Sequence, residues 1–152
     1  MLYRIPILVL LTTTLLSCSN AQTKPANHNK AGSIVKIEMN LSAFGVEADD
    51  VPSIDVTIDF KNDSSRCIAS FYNPSYKGYS YSLSKDQMNS ILELLKNVDL
   101  ATIKKEYTTN RSDQARATTT IYSAGKIYKF DDYGLEAGSP LRELYKIVFR
   151  YK

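Results

Sequence analysis

Two thiols, one imidazole, two acidic pairs and a run of tyrosines are the side chains from which this chain could build chemistry. A hydrolase needs a nucleophile, a base and a group that orients the base, or two carboxylates across a cleft. The residues do not fall into those patterns. There is no Gly-x-Ser-x-Gly elbow, no His-Glu-x-x-His and no glycine-rich phosphate loop. The single histidine, His28, sits in a polar stretch without apolar period. Asp49-Asp50 and Asp131-Asp132 could in principle meet at a calcium ion, which takes hard oxygen ligands. Their spacing matches no EF-hand, and aspartate also favours turns and helix starts. These pairs therefore read as loop formers, with Asp131-Asp132 ending a strand and shaping the turn at Gly134. No resident metal, cofactor or catalytic residue is expected.

Cys18 is different, because its neighbours specify a reaction. Arg4 supplies a positive start, Ile5 to Leu16 an apolar core, and Leu15-Leu16-Ser17-Cys18 the processing site. The apolar run is about a dozen residues, against ~20 for a membrane-spanning helix. The pattern resembles that of bacterial lipoproteins. It implies alkylation of the Cys18 sulfur by a diacylglycerol, cleavage between Ser17 and Cys18, and acylation of the freed amine. Each buried methylene contributes about 0.8 kcal/mol, so two or three chains anchor firmly where one does not. No acidic cluster follows in Ser19 to Lys24. By the same resemblance, this favours the periplasmic face of an outer membrane.

The formal charge of +3 includes Arg4, and lysine and arginine are spread along the chain. So mild a balance argues against a nucleic-acid partner. With Cys18 modified, Cys67 is the remaining thiol and no intramolecular disulfide can form. Cys67 lies in an apolar strand pattern and is expected to be buried and inert.

The chain divides into a signal peptide (1–17), a polar tether (18–33) and a folded region (34–152). Its size suits one domain. Ile34 to Leu41 and Ile54 to Phe60 alternate as half-buried strands, with Phe44 to Asp50 as a loop between them. Lys61 to Ser64 is a turn cluster, and Arg66 to Tyr72 returns as a hairpin partner. Asn73-Pro74 breaks that strand, and the Tyr76 to Leu83 stretch alternates again. Ser84 and Gln87 form a capping box for a helix to about Asn97, with Met88, Ile91, Leu92 and Leu95 on one face. Asp99 is expected to cap a short second helix. Residues 107–115 read as a loop. Arg116 to Ser123 and Lys126 to Phe130 form a hairpin around Ala124-Gly125. A last helix is expected with Ser139 as N-cap and Pro140 as its first residue.

The expected fold is α+β: an antiparallel sheet with helices on one face, in the order three strands and a helix, then two strands and a helix. On Phe44-Gly45, Val56 to Ile58, the Ser84 helix and the Asp131 to Leu144 ending, residues 34–150 resemble a family of small bacterial lipoproteins. That family carries an uncharacterised domain of unknown function. Many members have Phe-Gly-x-Cys-Pro where this chain has Phe44-Gly45-Val46-Glu47-Ala48, so no role of that cysteine transfers. The resemblance implies fold and location and brings no activity.

The sharpest candidate for binding is the aromatic run Phe71, Tyr72, Tyr76, Tyr79 and Tyr81. Tyrosine joins a broad apolar ring to a polar tip and is enriched at interface hot spots. It is also a good strand former, so the same rings could simply pack on strand neighbours. Tyr79 and Tyr81 should share a face. Tyr122 and Tyr128 would face each other across the Ala124-Gly125 hairpin. The reading is a non-enzymatic envelope lipoprotein that binds a protein through a patch of Tyr72, Tyr76, Tyr79 and Tyr81. The alternatives are a glycan or peptidoglycan binder using the same rings and, third, an enzyme with a dispersed site.

Overall fold

A computed structural model describes residues 33–43 and 50–150. The signal peptide, Cys18, His28, the tether up to residue 32, and the loop from Phe44 to Asp49 lie outside the described residues. Ser33 and Asp50 are exposed.

Among the described residues, seven strands and two helices follow one another: β1 (Ile34–Ser42), β2 (Ser53–Asp59), β3 (Ser64–Ser70), β4 (Tyr79–Tyr81), α1 (Lys85–Leu95), β5 (Glu106–Thr108), β6 (Arg116–Ser123), β7 (Lys126–Tyr133) and α2 (Leu141–Val148). The strands form one sheet in the order β4-β3-β2-β1-β6-β7-β5. The fold is α+β, and all pairings are antiparallel except that of β5 with β7. β1 is the seam. It pairs with β2 on one side and with the distant β6 on the other, placing Met39 between Val56 and Thr119.

Alternation in the sequence becomes two unlike faces. Ile37, Met39, Leu41, Ile54, Val56, Ile58, Cys67, Ala117 and Ile121 point to one side and are buried. Asn40, Asp55, Thr57, Arg66, Thr118 and Thr120 alternate with them and line a shallow polar groove of about 410 Å³ on the other side. The helices cover the first face. Met88, Ile91 and Leu95 of α1 and Leu141, Leu144, Tyr145 and Val148 of α2 complete the core. The Ser84 capping box is formed: its hydroxyl accepts from Gln87 N–H at 3.2 Å, and Gln87 Oε1 accepts from Ser84 N–H at 2.9 Å. Two donors that would be orphaned at the helix start are thereby satisfied.

The strand order differs from the expected three and two. β4 precedes α1, and β5 overlaps the start of the 107–115 stretch read as a loop. β5 has only three residues, too few for a period to be read, and its parallel place beside Asp131–Tyr133 follows from pairing with a strand far along the chain. No second helix forms at Asp99. Its carbonyl accepts from Thr102 N–H and its Oδ1 from Ala101 N–H, a closed turn that leads into β5. A single hydrogen-bonded turn does not repay helix nucleation. At the last helix, Pro140 is the N-cap in place of Ser139. The helix therefore begins at Leu141, one residue later than the Pro pattern suggests, and is preceded by a turn in which Arg142 N–H bonds the Gly138 carbonyl at 3.1 Å. Tyr122 and Tyr128 do not face each other. Tyr122 is opposite Ile127 and Tyr128 is opposite Ile121, one step out of register and therefore on opposite faces.

Candidate functional site

The site is the edge of the sheet at β3 and β4, where most of the aromatic run converges. Asn73 shapes the connection. Its Oδ1 accepts from Ser75 N–H at 2.9 Å and its carbonyl from Tyr76 N–H at 3.1 Å, turning the chain back. Gly78 then lets β4 close on β3, since a Cβ at this position would lie 2.8 Å from the Ala69 carbonyl oxygen. β4 pairs in the register Ala69 with Tyr79 and Cys67 with Tyr81, so the two tyrosines share a face, as alternation requires.

The rings form a row. Phe71 stacks on Tyr76 with centroids 5.4 Å apart, and lies 6.3 Å from Tyr79, which lies 6.1 Å from Tyr81. The Arg150 guanidinium closes the row, 4.4 Å from the Tyr81 ring centre. These separations fall within the range of favourable offset and tilted aromatic pairs and of cation–π contact.

The four tyrosines expected to act together have different environments. Tyr76 and Tyr79 are about half exposed (44% and 51%) and inside the row. Tyr72 is 88% exposed and shares no ring contact with the others. Tyr81 is half-buried and structural: its hydroxyl donates to the Val148 carbonyl at the end of α2. Burial, followed by the neighbouring Cys67, pushes its hydroxyl well above the ordinary tyrosine value. Tyr81 thus belongs to the seat of the patch more than to its contact surface. Phe71 and Arg150 join the site instead. Phe71 stands beside Tyr72 in the run, whereas Arg150 is almost 70 residues away, without a local signal to connect it.

The other candidate groups disperse. Cys67 is fully buried under Tyr81, and burial raises its thiol above the ordinary value. That disfavours the thiolate a nucleophile needs. Asp131 and Asp132 point to opposite faces. Asp131 pairs with Arg116 through both carboxylate oxygens on the open face. Asp132 is fully buried and accepts from the Glu136 and Ala137 N–H groups at 2.7 and 3.0 Å. It shapes the turn after Gly134, whose φ of +91° suits glycine. Among the described residues no group of three histidine, cysteine or acidic side chains is placed to hold a metal ion.

A second polar cluster lies on the open face. The Lys36 ammonium is 2.5 Å from Glu38, and Tyr122 donates to Glu38 at 2.6 Å. Lys36 first, then Tyr122, hold the Glu38 carboxyl below the usual carboxylate range. These groups satisfy one another at the surface, and Glu38 also lines the shallow polar groove of the open face.

The family model described as "Domain of unknown function (DUF6438)" matches residues 49–151, about two-thirds of the chain. The chain belongs to this family. The DUF6438 match spans β2 through α2, including the whole aromatic row, and leaves out β1. The strand between β2 and β6 is therefore supplied by residues before the matched region. No curated protein matches the chain. Among the described residues, no helix is long and apolar enough to cross a membrane.

Proposed function

We propose that this DUF6438 chain is a lipid-anchored envelope protein whose domain binds a protein partner without catalysis. In this reading residues 1–17 are removed, Cys18 carries the lipid, and residues 18–33 hold the domain at the periplasmic face of an outer membrane. The observation that carries the binding role is the row Tyr76–Phe71–Tyr79, whose two tyrosines are half exposed, seated on Tyr81 and ended by Arg150. Half-exposed rings held by one another lose little freedom on binding, and Tyr and Arg dominate interface hot spots.

The direction of β3 adds support. β1 starts beside Ser123, and β3 runs from Ser64, near that end of the sheet, to Ser70 at the other. The Phe71–Lys77 turn is therefore at the end of the sheet away from the tether.

The test is co-purification of tagged protein from its native membranes in mild detergent, with Cys18→Ser as the unanchored control. One near-stoichiometric protein is expected, and it should be lost in the double variant Tyr76→Ser, Tyr79→Ser. Retention of that partner by the double variant would reject the patch. If no protein co-purifies but tyrosine-dependent retention on insoluble peptidoglycan appears, the glycan reading replaces this one.

A further inference from the structure

The end of the sheet where the tether arrives has a different character from the aromatic end. Ile34, the first residue of β1, pairs with Ser123, the last residue of β6. The turn of the β6–β7 hairpin, Ala124-Gly125, thus stands beside the point where the chain from Cys18 enters the fold. Next to that turn, Lys126 is exposed and Ile127 is 60% exposed, an unusually open position for a large apolar side chain.

β5 covers only Asp131–Tyr133 of β7, which leaves the first half of β7 as a free edge. Beside it lies a groove of about 480 Å³, lined by Lys105, Ile127, Tyr128 and Lys129 with Leu100 and Phe130 at its floor. Lys104 precedes Lys105 in the chain, and its ammonium is 5.4 Å from the Tyr107 ring centre. Among the described residues no salt bridge engages Lys104, Lys105, Lys126 or Lys129. Lys105 and Lys129 line the groove with the exposed Ile127, and Lys126 precedes Ile127 at the hairpin end of β7, giving a basic, apolar-centred patch.

We propose that this hairpin end is a membrane-contacting surface, which docks on anionic phospholipid headgroups with Ile127 inserted at the interface. The inference rests on the anchored reading of Cys18. Fifteen residues separate Cys18 from Ile34, a reach of at most about 58 Å. The patch is on the end of the fold that this segment must approach. Basic side chains near an anionic bilayer each favour the bound state about fivefold, and a lipid chain plus a basic patch is a recurrent two-part anchor. Docking at this end would direct the Tyr76–Phe71–Tyr79 row away from the bilayer.

The protein is isolated from its native membranes in detergent, and the mass of its Cys18 peptide records whether acyl chains are present. It is then mixed with vesicles of phosphatidylethanolamine and phosphatidylglycerol, or of phosphatidylcholine alone. Sedimentation and deuterium uptake of residues 124–130 are measured. On anionic vesicles, slower uptake is expected, and it should revert in high salt. The variant Lys126→Gln, Lys129→Gln should weaken binding of unacylated protein about 25-fold, the product of two fivefold losses. Ile127→Ser should lessen protection without changing the salt dependence. All three side chains are exposed, so these variants retain the core. Equal uptake on anionic and zwitterionic vesicles would overturn the proposal, whatever the mass of the Cys18 peptide. An unacylated Cys18 with salt-sensitive protection would reject the anchor and keep the surface.

Discussion

The Tyr81 hydroxyl donates to the Val148 carbonyl at 2.8 Å, joining the edge strand β4 to the last residue of α2. Val148 is in the final turn of its helix, where carbonyls lack helical partners. The bond therefore ends α2 and pins the aromatic edge with one contact. Arg150 adds a second tie, lying over the Tyr81 ring while its Nη2 donates to the Ser82 carbonyl at 3.2 Å.

This makes Tyr81 a stability residue. Tyr81→Phe keeps the ring and loses the hydrogen bond, at a cost of about 1 kcal/mol. Tyr81→Ala also removes a packed ring and should cost about 3 kcal/mol. Tyr79→Ser, on an exposed ring, should stay within about 1 kcal/mol of the parent. Urea midpoints of the three variants check the ranking. Equal destabilisation by Tyr79→Ser and Tyr81→Ala would show that the row is one structural unit.

Asp131 and Asp132 are adjacent and should behave in opposite ways. Asp132→Ala leaves the buried Ala137 N–H and the part-buried Glu136 N–H without their acceptor, at a cost of about 3 kcal/mol. Asp131→Ala breaks a surface pair with Arg116 and should cost less than about 1 kcal/mol. Thermal or urea unfolding of the two single variants measures the difference. A larger loss from Asp131→Ala would contradict the assignment of Asp132 as the turn's internal cap.

Alkaline pH should destabilise the fold. Cys67, Tyr81 and Tyr145 are all raised above their ordinary values, with burial the largest cause in each. Such groups stay protonated in the native state while the unfolded chain releases its protons, so stability falls as pH rises. The full contribution is present below the ordinary thiol value of 9.0 and declines above it, with the phenols adding beyond 10.0. Cys67→Ala should move the onset upward. A urea midpoint that holds constant through this range would disprove the linkage.

Within the sequence, the elements whose signals are local were legible. Ile54, Val56 and Ile58 alternate with Asp55 and Thr57 and form β2. Ser84 and Gln87 are three residues apart and form their capping box. The apolar face of α2 was legible in Leu141, Leu144, Tyr145 and Val148. Residues two to four apart determine such features, because strand pleat and helical turn repeat over that distance.

Tertiary structure decided what depends on distant partners. β5 has three residues and exists as a strand because β7 supplies its ladder. Tyr81 and Tyr79 share a face and a chemistry, yet only Tyr81 is beneath the end of α2, so one became seat and the other surface. Asp131 and Asp132 differ by a single step, and the sheet gave one to Arg116 in solvent and the other to a buried turn. Alternation states that neighbours face opposite ways. Which face is covered, and by which helix, is set by packing between segments far apart in the chain.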